Sequence, residues 1–141
     1  MTHKIKQGVI GGLIATAVMT VVTMVAPFMG MPEMNAAAML SSMLGISKAM
    51  GWIMHFMIGV IFALAYAFII LRMLAKIKNN ILKGTIFGIL AFLFAQIMMA
   101  IMGMMMPMPA MEGSMMLMMT AGLAGHIIFG ITVALFVKQT T

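Results

Sequence analysis

The sequence predicts an all-α integral membrane protein, a four-helix bundle in which one two-helix unit is used twice. Three observations predict this class. Hydrophobic residues make up 65% of the 141 residues and charged residues only 7%, whereas charged residues are about a quarter of a typical soluble protein. Four apolar stretches are each long enough to cross a bilayer, and a glycine–histidine motif occurs in two of them.

The four predicted membrane spans are residues 8–28, 51–71, 81–102 and 115–137. A span needs roughly 20 apolar residues at the rise of an α-helix. Apart from Lys83, near the start of the third, the spans contain no charged side chain. The first is longer than the apolar core of a signal peptide, about 7–15 residues, so we expect it to be retained. One membrane domain over residues 1–141 is therefore predicted.

The positions of the charges predict the orientation of the bundle. The net charge is +6, and most basic residues lie on one side of a four-pass chain, at the N-terminus, in the central loop and at the C-terminus. Basic loops tend to be cytoplasmic, which predicts the inner membrane with both termini inside and residues 29–50 and 103–114 outside. Charges placed in this way favour contact with the lipid bilayer and do not indicate nucleic-acid binding. These basic residues are Lys4, Lys6, Arg72, Lys76, Lys78, Lys83 and Lys138.

A duplication relates residues of about 6–71 to residues of about 83–137. Each unit crosses the membrane twice, so the copies share one orientation and form a parallel repeat. The repeat predicts that the two membrane histidines lie at one depth, and it gives Thr20 and Gln96 matching positions on the first and third spans. The identities in the second and fourth spans are Gly51/Gly122, His55/His126, Gly59/Gly130, Ala63/Ala134 and Leu64/Leu135.

The two outer loops differ in length. In the first, Asn35 is a good helix N-cap, and the apolar residues up to Gly45 recur with helical spacing. We expect a short helix there, lying at the outer interface of the membrane. In the second loop, Pro107 and Pro109 with Gly113 predict a tighter turn.

His55 and His126 are the main candidates for a ligand site. Ionisable side chains within a membrane face the bundle interior more often than lipid. With neighbouring helix axes about 8–10 Å apart, the second and fourth spans lie about 11–14 Å apart across the bundle, a separation that suits two imidazoles holding one haem b. Each histidine has a glycine four residues before and after it, Gly51 and Gly59 or Gly122 and Gly130, which predicts a flat groove for the macrocycle. Thr20 and Gln96 are candidates to orient the imidazoles.

A structural interpretation of the same residues stays open. In it, each glycine permits close contact between helices. Each histidine then forms a hydrogen bond with a threonine, a glutamine or a backbone carbonyl across the bundle.

Many of the 24 methionines lie in or beside the two predicted outer loops, and they suggest copper as the second candidate ligand. Thioethers are soft, neutral ligands that select Cu(I), and the chain has no cysteine to supply thiolates. A second hypothesis is therefore that outer methionines, among them Met31, Met34, Met108 and Met111, collect Cu(I) and pass it inward to His55 and His126. The alternative is that methionine only fills irregular gaps between helices.

Several motifs resemble a family of small four-helix prokaryotic membrane proteins of unknown function. They are the Gly-Gly-x-x-Ala-Thr run of residues 11–16, the Met-Gly-Met-Pro-x-Met run of residues 29–34, the Gly-Trp-x-x-His-Phe-x-Ile-Gly run of residues 51–59, and Gly125 with His126. The resemblance covers most of the chain and implies the four-helix architecture. It implies no activity.

The leading functional hypothesis is a small non-enzymatic membrane subunit or accessory protein that holds a ligand between its second and fourth spans. The spans contain no carboxylate, which argues against a proton-coupled pump, and no nucleotide-binding or hydrolase motif is present. Two alternatives remain. One is a purely structural subunit that packs against partner membrane subunits or against copies of itself, and the other is a small channel or carrier for Cu(I) or a neutral solute.

Overall fold

The computed structural model describes residues 1–106 and 113–138, and the regular secondary structure in them is helical. Helix α1 is Thr2–Val25, α2 is Ala36–Leu44, α3 is Lys48–Ala65, α4 is Asn80–Met105 and α5 is Met115–Phe136. A 3-10 turn at Ala26–Met29 extends α1. A π-helical segment at Tyr66–Ile70 and a last turn at Leu71–Met73 extend α3.

Four of these helices, with their extensions, are long and apolar enough to cross a membrane: Thr2–Met29, Lys48–Met73, Asn80–Met105 and Met115–Phe136. The predicted all-α class with four spans is confirmed. Two of the helices begin earlier than hydropathy indicates because polar side chains cap them. Asn79 accepts from the N–H groups of Ile81 and Leu82, and Ser47 accepts from that of Met50.

The short helix α2 forms where the first outer loop predicts it. The Asn35 side chain accepts a 2.9 Å hydrogen bond from the N–H of Ala38, as expected of an N-cap, and Gly45 ends the helix at φ +63°. Helix α2 packs on the start of α3, where the Ala37 carbonyl abuts Gly51. In the second outer loop, Pro107 and Pro109 lie outside the described residues.

The four spans form a ring of neighbours. Helix α1 packs against both α3 and α5, and α5 packs against α4. Aromatic rings join α3 to α4, with centroids 5.6 Å apart for Phe62 and Phe94 and 4.9 Å apart for Tyr66 and Phe87. Helices α3 and α5, which carry the two histidines, therefore lie across the bundle from each other.

Glycines bring the backbones of the packed helices into contact. A Cβ atom built on Gly12 would lie 2.7 Å from the Cα of Val60, and one built on Gly130 would lie 2.6 Å from the backbone nitrogen of Gly88. Both distances are too short for real atoms. In a membrane, small residues at such contacts allow the close packing that holds helices together.

The two hairpins, α1 with α3 and α4 with α5, do not pack in the same register. In the first, Gly12 faces Val60, so the repeat would place Gly88 opposite Ile131. Instead the Ile131 backbone lies against Gly84, the preceding glycine of α4. Helix α4 is therefore displaced by one turn along α5 relative to the arrangement in the first hairpin.

The apolar core lies mainly at the end of the bundle that carries most of the basic residues. We call this the basic end; it comprises the start of α1, the end of α3, the start of α4 and the end of α5. At the opposite end several methionines are exposed, among them Met104 at 88%, whereas Met43 is buried. The core residues are Ala15, Ala63, Tyr66, Ala67, Leu71, Phe87, Phe129, Val133, Ala134 and Val137.

Candidate functional site

His55 lies on α3 and faces α1. Its Nε2 atom is 3.0 Å from the hydroxyl oxygen of Thr20, and the side chain is partly buried. The rings of Trp52 and Phe56 meet the imidazole edge-on, with centroids 6.0 and 5.8 Å away. The imidazole is therefore held both by a hydrogen bond to another helix and by aromatic contacts within its own helix.

His126 lies on α5 and has a different environment. Its Nδ1 atom is 2.8 Å from the carbonyl oxygen of Gly122, one turn earlier in the same helix. Because a carbonyl only accepts, Nδ1 carries the proton, and Nε2 of the neutral ring then presents a lone pair. No hydrogen bond engages Nε2 within the described residues. The ring of Phe92, 5.6 Å away, covers one side of the imidazole.

The two histidines lie against the same part of α1. His55 bonds Thr20, and Gly125, which precedes His126, lies against Met19 and Thr23, on either side of Thr20 in the chain. The structure thus brings together the two histidines that the sequence singles out.

Of the two residues expected to orient the imidazoles, only Thr20 does so. The side chain of Gln96 is half-buried and forms no hydrogen bond within the described residues. Its predicted place beside His126 is taken by Phe92, one turn earlier on α4. The displacement of α4 along α5 explains this difference.

The four glycines that flank the histidines are covered by protein. A Cβ on Gly51 would meet the Ala37 carbonyl of α2, and a Cβ on Gly59 would meet the Thr16 hydroxyl. Gly130 lies against the backbone of Gly84 and Gly88. Together with the bonds from His55 to Thr20 and from His126 to a carbonyl, these are the contacts of the structural interpretation. The contacts at Gly51, Gly59 and Gly130 leave no open groove at these three positions.

Two thioether side chains approach the turn of α5 that contains Gly122 and His126. The Met34 methyl carbon is 3.5 Å from the position of a Cβ on Gly122, and the Met19 Cγ is 3.7 Å from that on Gly125. Met34 was among the predicted ligands. Met19 was not, because the sequence did not show which face of the first span turns towards the fourth.

Of the other methionines predicted as metal ligands, only Met31 lies within the described residues. Met31 lies between the 3-10 turn and α2, with its N–H bonded to the Ala26 carbonyl at 3.2 Å. Met108 and Met111 fall outside the described residues. Within the described residues no three His, Cys, Asp or Glu side chains cluster closely enough to hold a metal ion. A metal site here would depend on thioethers.

Comparison with known proteins places the chain in a family. Residues 2–141 match the model of the family of unknown function DUF6789, and the chain belongs to that family. No curated protein and no solved structure gives a significant match.

Proposed function

We propose that this member of a family without assigned function is a non-enzymatic protein of the cytoplasmic membrane that binds Cu(I) at His126 of α5. In this proposal the basic end faces the cytoplasm, with both termini inside. The observation that carries the proposal is the approach of Met19 and Met34 to the turn of α5 that contains His126, whose Nε2 atom forms no hydrogen bond within the described residues.

The donor set fits the chemistry of Cu(I). Thioether sulfur and neutral imidazole are soft or borderline ligands that suit a monovalent ion of low coordination number. They add no negative charge, so the occupied site carries at most one positive charge into the membrane, where charge is costly. Divalent ions that require carboxylates gain nothing here, because the four spans contain none.

Copper is favoured over haem by the contacts of the flanking glycines and of His55. A porphyrin clasped between the two histidines would have to displace Thr20 from Nε2 of His55 and separate Gly59 from Thr16. A single ion at His126 requires neither change. His55 then serves as a second, weaker ligand or as a polar wall of the site.

The test is a titration of the purified protein with Cu(I) under reducing conditions in mild detergent, against a chromogenic chelator that competes for the ion. We expect one ion to bind per chain. Removing a ligand by His126→Ala, Met34→Leu or Met19→Leu is expected to weaken binding by at least about tenfold, as removal of groups around other metal sites does. The two Met→Leu variants keep a similar side-chain volume, and His126→Ala removes a ring that is only partly buried.

Matched controls come from the same chain. Met24→Leu changes a methionine on the same helix as Met19 that is half-exposed, and His3→Ala changes a histidine at the exposed start of α1. Both are expected to bind Cu(I) as the unmodified protein does. Equal affinity of the His126→Ala variant and the unmodified protein would refute the proposal.

The same sample separates the other hypotheses. A Soret band in the visible spectrum that disappears in the His55→Ala and His126→Ala variants would show that the bound ligand is haem and not copper. A colourless protein that binds no copper and co-purifies with other membrane proteins would favour a structural subunit. Uptake of Cu(I) into sealed proteoliposomes would show a channel or carrier instead of a static site.

A further inference from the structure

Lys83 is the one charged residue within the predicted spans, and its side chain is only 5% exposed. Lysine is almost never buried to this degree unless it is paired. No ion pair engages Lys83 within the described residues. The only acidic residues of the sequence, Glu33 and Glu112, belong to the two loops at the opposite end of the bundle. The described residues therefore offer no carboxylate partner for this ammonium group.

The position of Lys83 directs its ammonium group towards the surface of the basic end. It is the fourth residue of α4 and shares a face with Phe87, one turn later, whose ring packs on Tyr66 and Phe129. The aliphatic stem is thus covered by the core. Side chains on a helix lean towards its N-terminus, which here is the basic end. The Nζ atom is not among the side-chain atoms that are both sealed from solvent and unpartnered, so some of its surface is open to solvent.

The surroundings of Lys83 favour an anion. A positive charge in the first turns of a helix opposes the helix dipole, and a bound anion removes that repulsion. Arg72 at the end of α3, Lys76 and Lys78 in the following loop, and Lys138 after α5 add positive charge at the same end. The described basic end contains no carboxylate side chain to offset it.

We propose that Lys83 binds the phosphate group of an anionic phospholipid at the basic end of the bundle. Helix α4 has 26 residues, about 39 Å at 1.5 Å per residue, which exceeds a hydrocarbon core of about 30 Å. A helix of this length extends beyond the hydrocarbon core, so we infer that the first turns of α4 reach the depth of the lipid headgroups, where a phosphate is available. The proposal does not depend on Cu(I) binding and is tested on metal-free protein.

The experiment measures lipid retained by the full chain through extensive washing in mild detergent, by native mass spectrometry and by phosphate analysis. The protein is first exposed to mixed micelles containing phosphatidylglycerol, or phosphatidylcholine in a parallel sample. We expect one retained phosphatidylglycerol per chain and less phosphatidylcholine. Lys83→Gln, which introduces the residue found at the equivalent repeat position, Gln7, is expected to lose it, and Lys83→Arg to keep it.

Lys78→Gln is the matched control, because Lys78 is an exposed residue of the loop before α4. It is expected to weaken retention by no more than about fivefold, the effect of one general surface charge. Equal loss in the Lys78→Gln and Lys83→Gln variants would overturn the assignment and leave only diffuse attraction to anionic lipid. Saturable binding of inorganic phosphate that requires Lys83, without retained lipid, would overturn the lipid source and indicate a soluble anion.

Discussion

Replacing Gly130 by alanine tests the central packing contact of the second hairpin. The added methyl group would lie 2.6 Å from the nitrogen and 2.8 Å from the Cα of Gly88, and would also clash with the Gly84 carbonyl. All three atoms belong to the backbone of α4, so no change of side-chain rotamer relieves the overlap. The two helices must move apart instead.

The expected cost follows from these contacts. Overpacking a close-packed site costs about 1–3 kcal/mol. Because the new methyl group of Gly130→Ala would clash with backbone atoms, which cannot move as side chains do, we expect the upper value of about 3 kcal/mol. Alanine recovers about 1 kcal/mol by restricting the unfolded chain, so a net loss of about 2 kcal/mol remains. In Gly125→Ala, on the same helix, the new methyl group would lie 3.5 Å or more from its neighbours. This control is expected to gain up to about 1 kcal/mol.

The assay is unfolding in mild detergent by increasing SDS, followed by circular dichroism and by the fluorescence of Trp52, the single tryptophan. A difference of about 3 kcal/mol between the two variants corresponds to roughly 150-fold in the unfolding equilibrium. If Gly130→Ala is as stable as Gly125→Ala, α4 and α5 do not make the backbone contact described here. A normal stability combined with loss of a bound ligand would instead support a groove at Gly130.

The same unfolding assay checks three further predictions. Gly59→Ala is expected to destabilise the first hairpin by about 1–3 kcal/mol. Adding Thr16→Ala to this variant is expected to restore part of the lost stability, because it removes the hydroxyl that clashes with the new methyl group. Strictly additive effects of the two substitutions would contradict this contact. Tyr66→Phe is expected to stabilise the protein by about 1 kcal/mol, since the buried Tyr66 hydroxyl has no hydrogen-bond partner within the described residues. A loss of stability would show that the hydroxyl does form a hydrogen bond. Asn79→Ala, which removes two capping bonds at the start of α4, is expected to cost about 1 kcal/mol, and no change would mean that this helix end frays in detergent.

Much of the fold could be predicted from the sequence because a bilayer leaves few options for an apolar chain. Backbone groups in lipid must bond within their own segment, so four apolar stretches imply four helices. The helix ends were less predictable. The start of α4 at Asn80 depends on capping by Asn79, and the π-helical segment from Tyr66 follows from tertiary packing that hydropathy does not encode.

The candidate site was predicted only in part. The sequence names Thr20 on the first span as a candidate to orient an imidazole, and in the structure Thr20 contacts His55. The same reasoning failed for Gln96, because a repeat in sequence does not fix the register between two helices. Gly84 and Gly88 of α4 are four residues apart, so sliding α4 by one turn along α5 still leaves a glycine of α4 opposite Gly130. The sequence is compatible with both registers, and the contacts of Gly84 and Gly88 with α5 decide between them.

This displacement gives the two histidines different surroundings, although they occupy equivalent positions of the predicted repeat. In the first hairpin a threonine faces His55 and occupies its Nε2 atom. In the second, an aromatic ring faces His126, the Nδ1 proton bonds the Gly122 carbonyl, and Nε2 has no hydrogen-bond partner within the described residues. A symmetric ligand clasped equally by both imidazoles requires equivalent nitrogens, whereas an ion bound first by one histidine does not. The asymmetry therefore favours a single primary ligand at His126, completed by the thioethers of Met19 and Met34, and it predicts that His126→Ala abolishes binding while His55→Ala only weakens it.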